Sequence, residues 1–194
     1  PGGPRVWGGW LRWGVPGWSW EDVLPLFKKS EDYMEGESDL HGAGGPWHVN
    51  NQRLRWDVLD DWMAAAEAAG VPRTDDFNGG DNEGVGYFKV NQHRGFRWNT
   101  AKAFLRPQKA GQLKVETHAH TPRLLIEDGK VVGVEYGQKG SEEEAKWGGE
   151  VVLSAGAVNS PQILQRAGIG PGARLQEHGI DVQLYQPEIG RNLQ

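Results

Sequence analysis

The stretch with the clearest chemical potential is residues 151–170, which read VVLSAGAVNSPQILQRAGIG. Residues 151–153 form a β-branched apolar run typical of a strand that is buried on both faces. The small residues 155–157 then allow another group to approach the backbone closely. A buried strand that enters a helix through such a turn directs free N–H groups and the positive end of the helix dipole to one place. That place favours an anionic or polar ligand, although a tight packing turn without a ligand would use the same residue types.

Both ends of the helix in this stretch are specified by residue type. Ser160 offers a side-chain oxygen at an N-cap position, and Pro161 fits the first helical position, where its missing N–H is not needed. Gly168 follows residues 162–167 and fits the left-handed position just after a helix. The sequence therefore predicts a short helix that begins at Ser160 and ends before Gly168.

Metal and redox chemistry based on side chains is poorly supported. The chain has no cysteine, which excludes disulfides, iron–sulfur clusters and thiolate metal sites. His41 and His48 lie in a glycine-rich loop, and His118 and His120 lie one residue apart, but neither pair has a third ligand at metal-binding spacing. We therefore predict a packing role for His41 and His48, and any redox chemistry must come from an organic cofactor.

Composition restricts the classes of partner. The chain has 194 residues, of which 37% are hydrophobic and 24% charged, so it can form one large domain or parts of two. Its net charge is −5 and no block of lysine and arginine stands out, which argues against a nucleic-acid groove. No apolar run is long enough to span a bilayer. We expect a soluble protein of the cytoplasm or the periplasm.

Hydrophobic periodicity and turn residues predict the main elements. Helices are expected over residues 19–30, with Ser19 as N-cap, and over residues 56–69, whose Trp and Met stripe is interpreted as core. Asp128-Gly129 predicts a tight hairpin between two apolar runs. Strands are also expected at 84–90, 113–117 and 151–153, and residues 137–149 are expected to form an exposed charged turn.

The N-terminal twenty residues are unusually rich in tryptophan. From Trp7 to Trp20 the chain carries five tryptophans, which taken alone could form an aromatic platform for a sugar. A carbohydrate-binding module is therefore one alternative, and it predicts sugar binding without a redox cofactor.

Residues 156–170 resemble the second sequence signature of the glucose-methanol-choline (GMC) flavoprotein oxidoreductases. The pattern departs at Ala167, where the family usually has serine. Two downstream stretches support the resemblance, LQEHGI at 175–180 and PEIGRNLQ at 187–194. The second is similar to the P-G-V-G-x-N-L-Q-D-H motif of the family.

The N-terminus resembles two separated pieces of the same family. Arg5-x-Trp7-Gly8-Gly9 is similar to the opening of the first GMC signature, where a basic residue and a glycine pair lie along the flavin diphosphate. Residues 13–31 resemble a later segment, and the flavin loop that the family carries between them is absent, as is a G-x-G-x-x-G turn. The catalytic His-His or His-Asn pair of the family would lie beyond residue 194. We therefore assign no catalytic residue and expect the chain to be part of a larger enzyme.

The resemblance implies a fold of two parts, each present here only in part. One is an α/β FAD-binding domain of GMC type, and the other is an α+β substrate-side domain. Residues 1–30 are expected to form an FAD-domain segment and flavin cover, residues 31–108 the substrate-side region, and residues 109–194 a second segment of the FAD-binding domain.

The implied function is FAD-dependent oxidation of an alcohol, with hydride transfer to flavin N5, as in a choline dehydrogenase-like enzyme. The expected partners are a small alcohol and an electron acceptor, which is oxygen, a quinone or a cytochrome. A GMC-family lyase or photodecarboxylase, or a non-catalytic fragment, would share these motifs. The implied cofactor-binding residues are Arg5, Gly8, Gly9, Thr121, Ala155, Gly156, Ala157, Asn159 and Ser160.

Overall fold

A computed structural model describes residues 4–109, 111–138, 140–146 and 149–193, with Pro4, Arg5 and Gln138 described by their backbone alone. The chain divides into two compact units, which are Pro1–Leu113 (unit 1) and Lys114–Gln194 (unit 2). Within the described residues, no helix is both long enough and apolar enough to cross a membrane.

Unit 1 combines α-helices, short strands and one π-helix. In chain order they are α1 (Pro4–Arg12), α2 (Trp20–Ser30), β1 (Glu31–Tyr33), β2 (Trp47–Asn51), α3 (Asp57–Ala68), β3 (Lys89–Val90), β4 (Gln92–His93), β5 (Phe96–Arg97) and the π-helix Ala101–Leu105. Strand β2 pairs in parallel with β1 and antiparallel with β3, and β4 and β5 form an antiparallel pair. The predicted strand at 84–90 is reduced to β3.

Unit 2 places two helices beside an antiparallel sheet. Its elements are β6 (His120–Glu127), β7 (Lys130–Gln138), β8 (Ser141–Lys146), α4 (Gly156–Arg166), β9 (Ile169–Gly170), α5 (Gly172–Glu177) and β10 (Leu184–Tyr185). Strands β6, β7 and β8 form one sheet, and β9 pairs in parallel with β10. Helix α4 packs against β6. The small core of this unit includes Leu124, Ile163 and Leu175, of which Leu175 is 1% exposed.

Helix α2 begins at the residue that the sequence predicts. Ser19 Oγ accepts the N–H of Asp22 at 3.2 Å, and Asp22 Oδ2 accepts the N–H of Ser19 at 3.0 Å. These reciprocal bonds form a capping box, which satisfies two donors at the helix start. Pro25 lies inside the helix. The predicted helix over residues 19–30 is confirmed.

Helix α3 forms as predicted, but its apolar stripe is only partly buried. Met63 is 2% exposed, whereas Trp62 is 69% and Val58 is 65% exposed. Successive residues lie about 100° apart around a helix, so a buried side centred on Met63 turns Trp62 away from the core. The prediction that the Trp and Met stripe forms core was wrong for Trp62.

The predicted hairpin at Asp128-Gly129 is confirmed. Strands β6 and β7 pair from Glu127 and Lys130 outward, and the two loop residues have φ angles of 50° and 72°. Positive φ at both positions is the geometry of a type I′ turn, whose twist matches that of the two strands.

The prediction that residues 137–149 form only a charged turn was wrong. Strand β8 lies within this range and pairs antiparallel with β7, from Gln138 opposite Ser141 to Gly133 opposite Lys146. All six β8 residues are exposed. Charged side chains suit an exposed edge strand because they discourage pairing with another chain. Residues 139, 147 and 148 lie outside the described part.

Two further predicted strands do not form. Residues 113–117 and 151–153 pair with no strand among the described residues. A strand needs backbone hydrogen bonds to a neighbour, and apolar composition alone does not provide one. Val152 is 82% exposed, whereas Val151 and Leu153 are partly buried.

The C-terminal end of α4 depends on Gly168, as predicted. Gly168 has a φ angle of 83°, and its carbonyl accepts the N–H groups of Gln183 and Leu184 at 2.9 and 3.2 Å. A Cβ at Gly168 would lie 2.7 Å from Gln183 Cγ and would also meet the carbonyl oxygen of Asp181. Glycine is therefore required here both for the backbone angle and for the close approach.

We predict that Gly168→Ala lowers the free energy of unfolding by about 2 to 4 kcal/mol, because it adds a steric clash to an unfavourable φ. The matched control is Gly179→Ala, where φ is 67° and a Cβ meets nothing within 4 Å. That variant should lose only about 1 kcal/mol. Urea denaturation measures both, and equal losses would show that close packing at Gly168 is unimportant.

Candidate functional site

Helix α4 begins at Gly156, so the prediction that Ser160 caps it and Pro161 opens it was wrong. The N-cap is Ala155, and no side chain caps the helix there. Ser160 lies inside the helix, where its Oγ accepts the N–H of Ala155 at 3.0 Å. Pro161 lacks the N–H that would bond the carbonyl of Ala157, and the helix continues past this missing bond.

The first turn of α4 leaves backbone donors available. The N–H groups of a first helical turn have no acceptor within their own helix. Residues 155–159 are exposed, and a Cβ at Gly156, whose φ is 89°, would meet no atom within 4 Å. An uncapped helix start with small side chains suits a phosphate-bearing or polar ligand. We call residues 155–160 the α4 N-terminal site.

Thr121 lies in β6, the strand against which α4 packs. It is partly buried and sits at an irregularity, since the register between β6 and β7 shifts between His120 and Arg123. Pro122 lies in this interval and has no N–H to donate to the ladder. Unit 2 therefore contains Thr121 and the α4 N-terminal site on two elements in mutual contact.

The candidate residues near the N-terminus belong to unit 1. Gly8 and Gly9 lie in α1, and a Cβ at either position would meet nothing within 4 Å. Glycine inside a helix costs about 1 kcal/mol relative to alanine, and the described residues offer no steric reason for this pair. Gly8 is partly exposed and Gly9 is buried. The backbone of Arg5 is also in α1, and its side chain lies outside the described part.

The tryptophans near the N-terminus pack on each other between α1 and α2. The rings of Trp7 and Trp18 stack with centroids 6.1 Å apart, and Trp10 lies 5.4 Å from Trp18 at an interplanar angle of 47°. Trp7 also contacts Phe27 of α2 at 5.9 Å. The contact between Trp7 and Phe27 joins α1 to α2, whereas Trp10 and Trp18 are 36% and 46% exposed.

The buried histidine His41, for which the sequence predicted a packing role in a loop, connects three segments of unit 1. His41 is 7% exposed, with Nδ1 3.0 Å from Glu31 Oε2 and Nε2 2.8 Å from Asp76 Oδ2. Its ring stacks on Tyr33 at 3.9 Å. The predicted packing role is therefore what the structure shows. The two carboxylates were missed because they lie 10 and 35 residues from His41 in sequence.

His41 and Tyr33 line a cavity of about 410 Å³ in unit 1. Burial raises the pKa of Tyr33 above its usual value. Burial opposes the charge of Lys89, yet its hydrogen bond to Glu35 at 2.9 Å holds the pKa of Lys89 above its usual value. Both groups keep their protons near neutral pH. The carboxylates that also line the cavity are those of Glu35, Glu37, Asp39 and Asp76.

Unit 2 is therefore an α/β unit with an uncapped helix start, and unit 1 combines helices with small sheets. The GMC oxidoreductase family model matches residues 4–194. The chain belongs to the GMC oxidoreductase family. Membership confirms the expected fold type and FAD as the cofactor of the family.

Comparisons with individual proteins agree with this family. The chain is 38% identical over 185 residues to an oxygen-dependent choline dehydrogenase of Rhizobium rhizogenes, covering 95% of this chain and 34% of the relative. It is 39% identical over 193 residues to an alcohol dehydrogenase [acceptor] of Pseudomonas putida, with 95% and 34% covered. The crystal structure of pyridoxine 4-oxidase from Mesorbium loti aligns with a TM-score of 0.87 at 28% identity, covering 96% of this chain and 37% of that one. The chain thus spans about a third of the length of these relatives.

We predict that Ser160→Ala lowers the free energy of unfolding by about 1 kcal/mol, because the N–H of Ala155 loses its acceptor. Ser154→Ala is the control, since Ser154 is exposed just before the turn, and it should change stability by less than about 0.5 kcal/mol. Thermal or urea unfolding compares them. Identical behaviour would mean that the Ser160 hydroxyl does not hold the turn.

Proposed function

We propose that this chain forms the nucleotide-binding part of an FAD-dependent enzyme that oxidises an alcohol. The observation that carries the proposal is the uncapped, exposed and small-residue start of α4, in a chain of the GMC oxidoreductase family. Helix starts of this kind bind phosphate and other anionic groups through backbone N–H groups. The other candidate residues, Gly8 and Gly9, are glycines without a steric role among the described residues.

The residues of this chain bind and orient the cofactor. Arg5 and the backbone at Gly8 and Gly9 would hold the diphosphate, the backbone of Thr121 would contact adenine, and the α4 N-terminal site would hold the nucleotide half. When bound, the flavin accepts the hydride that leaves the alcohol carbon. Because backbone groups make most of these contacts, small side chains at 155–157 matter more than any particular functional group.

We also propose which residues belong to the FAD side of the protein and which belong to the substrate side. Residues 1–30 and 109–194 belong to the FAD side, and residues 31–108 belong to the substrate side and flavin cover. The division between units after Leu113 supports a boundary near residue 109. The aromatic contacts between α1 and α2 support keeping the first thirty residues together as one segment.

A primary or secondary alcohol is the proposed substrate class, and oxygen, a quinone or a cytochrome is the proposed acceptor. Support comes from relatives whose names specify choline or an alcohol. The test is the visible spectrum of the purified protein, followed by anaerobic addition of choline and simple alcohols. We expect flavin bands that bleach with an alcohol. Flavin bands that no alcohol bleaches would favour a lyase or photodecarboxylase, and absence of flavin would favour a non-catalytic fragment.

We predict that Ala157→Glu weakens FAD binding by at least about tenfold, because it places a carboxylate beside the anionic nucleotide. The same carboxylate lies in the first turn of α4 and should stabilise the helix by about 0.3 to 1 kcal/mol. Opposite effects on binding and stability separate a ligand site from a packing turn. Flavin fluorescence titration and urea unfolding measure the two quantities.

The matched control is Ala173→Glu. Ala173 is exposed and occupies the second position of α5, as Ala157 does in α4. This variant should retain wild-type FAD affinity. Equal loss of affinity in both variants would indicate a general effect of added negative charge, and no loss in either would reject the α4 N-terminal site.

A further inference from the structure

Two histidine rings stack in unit 1, away from the candidate cofactor residues of that unit. The rings of His48 in β2 and His93 in β4 lie 4.1 Å apart with an interplanar angle of 20°. Trp98 packs against both, with centroid distances of 4.9 and 5.2 Å. His48 Nδ1 is 2.6 Å from Asp32 Oδ2. His48 is therefore paired with a carboxylate, whereas His93 is not paired in this way among the described residues.

The His48–His93 stack is part of the contact between β4 and β2. Asn50 of β2 donates its side-chain N–H to the carbonyl of Gln92 in β4 at 2.7 Å. Against this, Gln92 Oε1 is buried and has no hydrogen-bond partner within the described residues. A buried acceptor without a partner loses its hydration on folding without compensation, so the contact between β2 and β4 is weaker than its packing suggests.

The groups around the stack lower the pKa values of both Asp32 and His93. The N–H of Gly44, and then His48, hold the pKa of Asp32 below its usual value, so Asp32 is ionised in weak acid. Burial, then His48 and Arg94, lower the pKa of His93, which Asp32 only partly opposes. The ionisable groups that face His93 are thus Asp32 on β1, His48 on β2 and Arg94 in the β4–β5 turn.

We propose that the His48–His93 stack is an acid-sensitive contact that releases the β4–β5 hairpin from β2 when both rings carry a proton. Two stacked cations 4.1 Å apart repel each other, and a single carboxylate at Asp32 neutralises only one of them. The released segment lies in residues 31–108, so acidification would loosen this region without acting on the α4 N-terminal site.

The direction of the pH effect follows from the lowered pKa of His93. The unfolded chain binds a proton at His93 at a higher pH than the folded chain does. Stability contributed by the uncharged His93 ring is therefore complete above about pH 6.5 and is lost as the pH falls below that value. The ionised Asp32 does not change over this window, because its own pKa is lowered.

The test compares the urea midpoint of the full chain between pH 7.5 and about pH 5 with that of His93→Phe, which keeps a stacked ring and removes the proton site. We expect the wild type to lose stability on acidification and His93→Phe to lose much less. The matched control His120→Phe changes an exposed histidine of β6 and should follow the wild type. An unchanged pH dependence in His93→Phe would overturn the proposal.

A second measurement uses the wild type alone and tests the proposal even if His93→Phe does not fold. Amide hydrogen exchange of residues 92–97, corrected for the intrinsic effect of pH, is measured at pH 7.5 and about pH 5. We expect protection to fall by about tenfold for each unit by which the His93 pKa is lowered. Protection that is constant over this range would overturn the proposal, because the hairpin would then remain on β2 regardless of charge.

Discussion

The left-handed backbone at Gly168 is the constraint on which unit 2 depends. It ends α4, and its carbonyl accepts two N–H groups from the segment that leads into β10. Gln165 of α4 adds a bond to the carbonyl of Ile189 at 3.0 Å, which ties the C-terminal motif to the same helix. With one end of α4 held in this way and one face packed on β6, the opposite end can remain uncapped and open for a ligand.

The surface of the chain is large for its mass. It exposes 14559 Å², whereas two separate globular units of this combined mass would expose about 11,000 Å² in total. Large apolar side chains account for part of the excess, including Trp62, Val152 and Leu193, which are 69%, 82% and 75% exposed. Exposed apolar area of this extent is available for contact with further protein surface, in keeping with relatives that are about three times as long.

Local signals in the sequence predicted local structure well. The N-cap at Ser19, the Asp128-Gly129 turn and the glycine after α4 depend on a few adjacent residues, and all three form. Where an element depends on a distant partner, the sequence was insufficient. Strand β8 has no apolar alternation and exists because β7 offers it an edge, and residues 151–153 have the composition of a strand but no partner among the described residues.

In the candidate site too, residue types predicted local features but not the features that depend on the fold. The family pattern over 156–170 contains the start of α4, but Ser160 was assigned to the cap because its residue type suits that role. Gly156 adopts a positive φ and begins the helix earlier, which residue type alone could not determine. The contacts of His41 with Glu31 and Asp76 could not be predicted from the sequence either, since only folding brings these segments together.

The most direct test of the central claim is a crystal structure of the flavin-loaded protein. We predict that the nucleotide half of FAD lies at the first turn of α4, within hydrogen-bond distance of the backbone N–H groups of Gly156 and Ala157, with adenine against the backbone of Thr121. FAD bound elsewhere, with the start of α4 covered by protein side chains, would contradict the account.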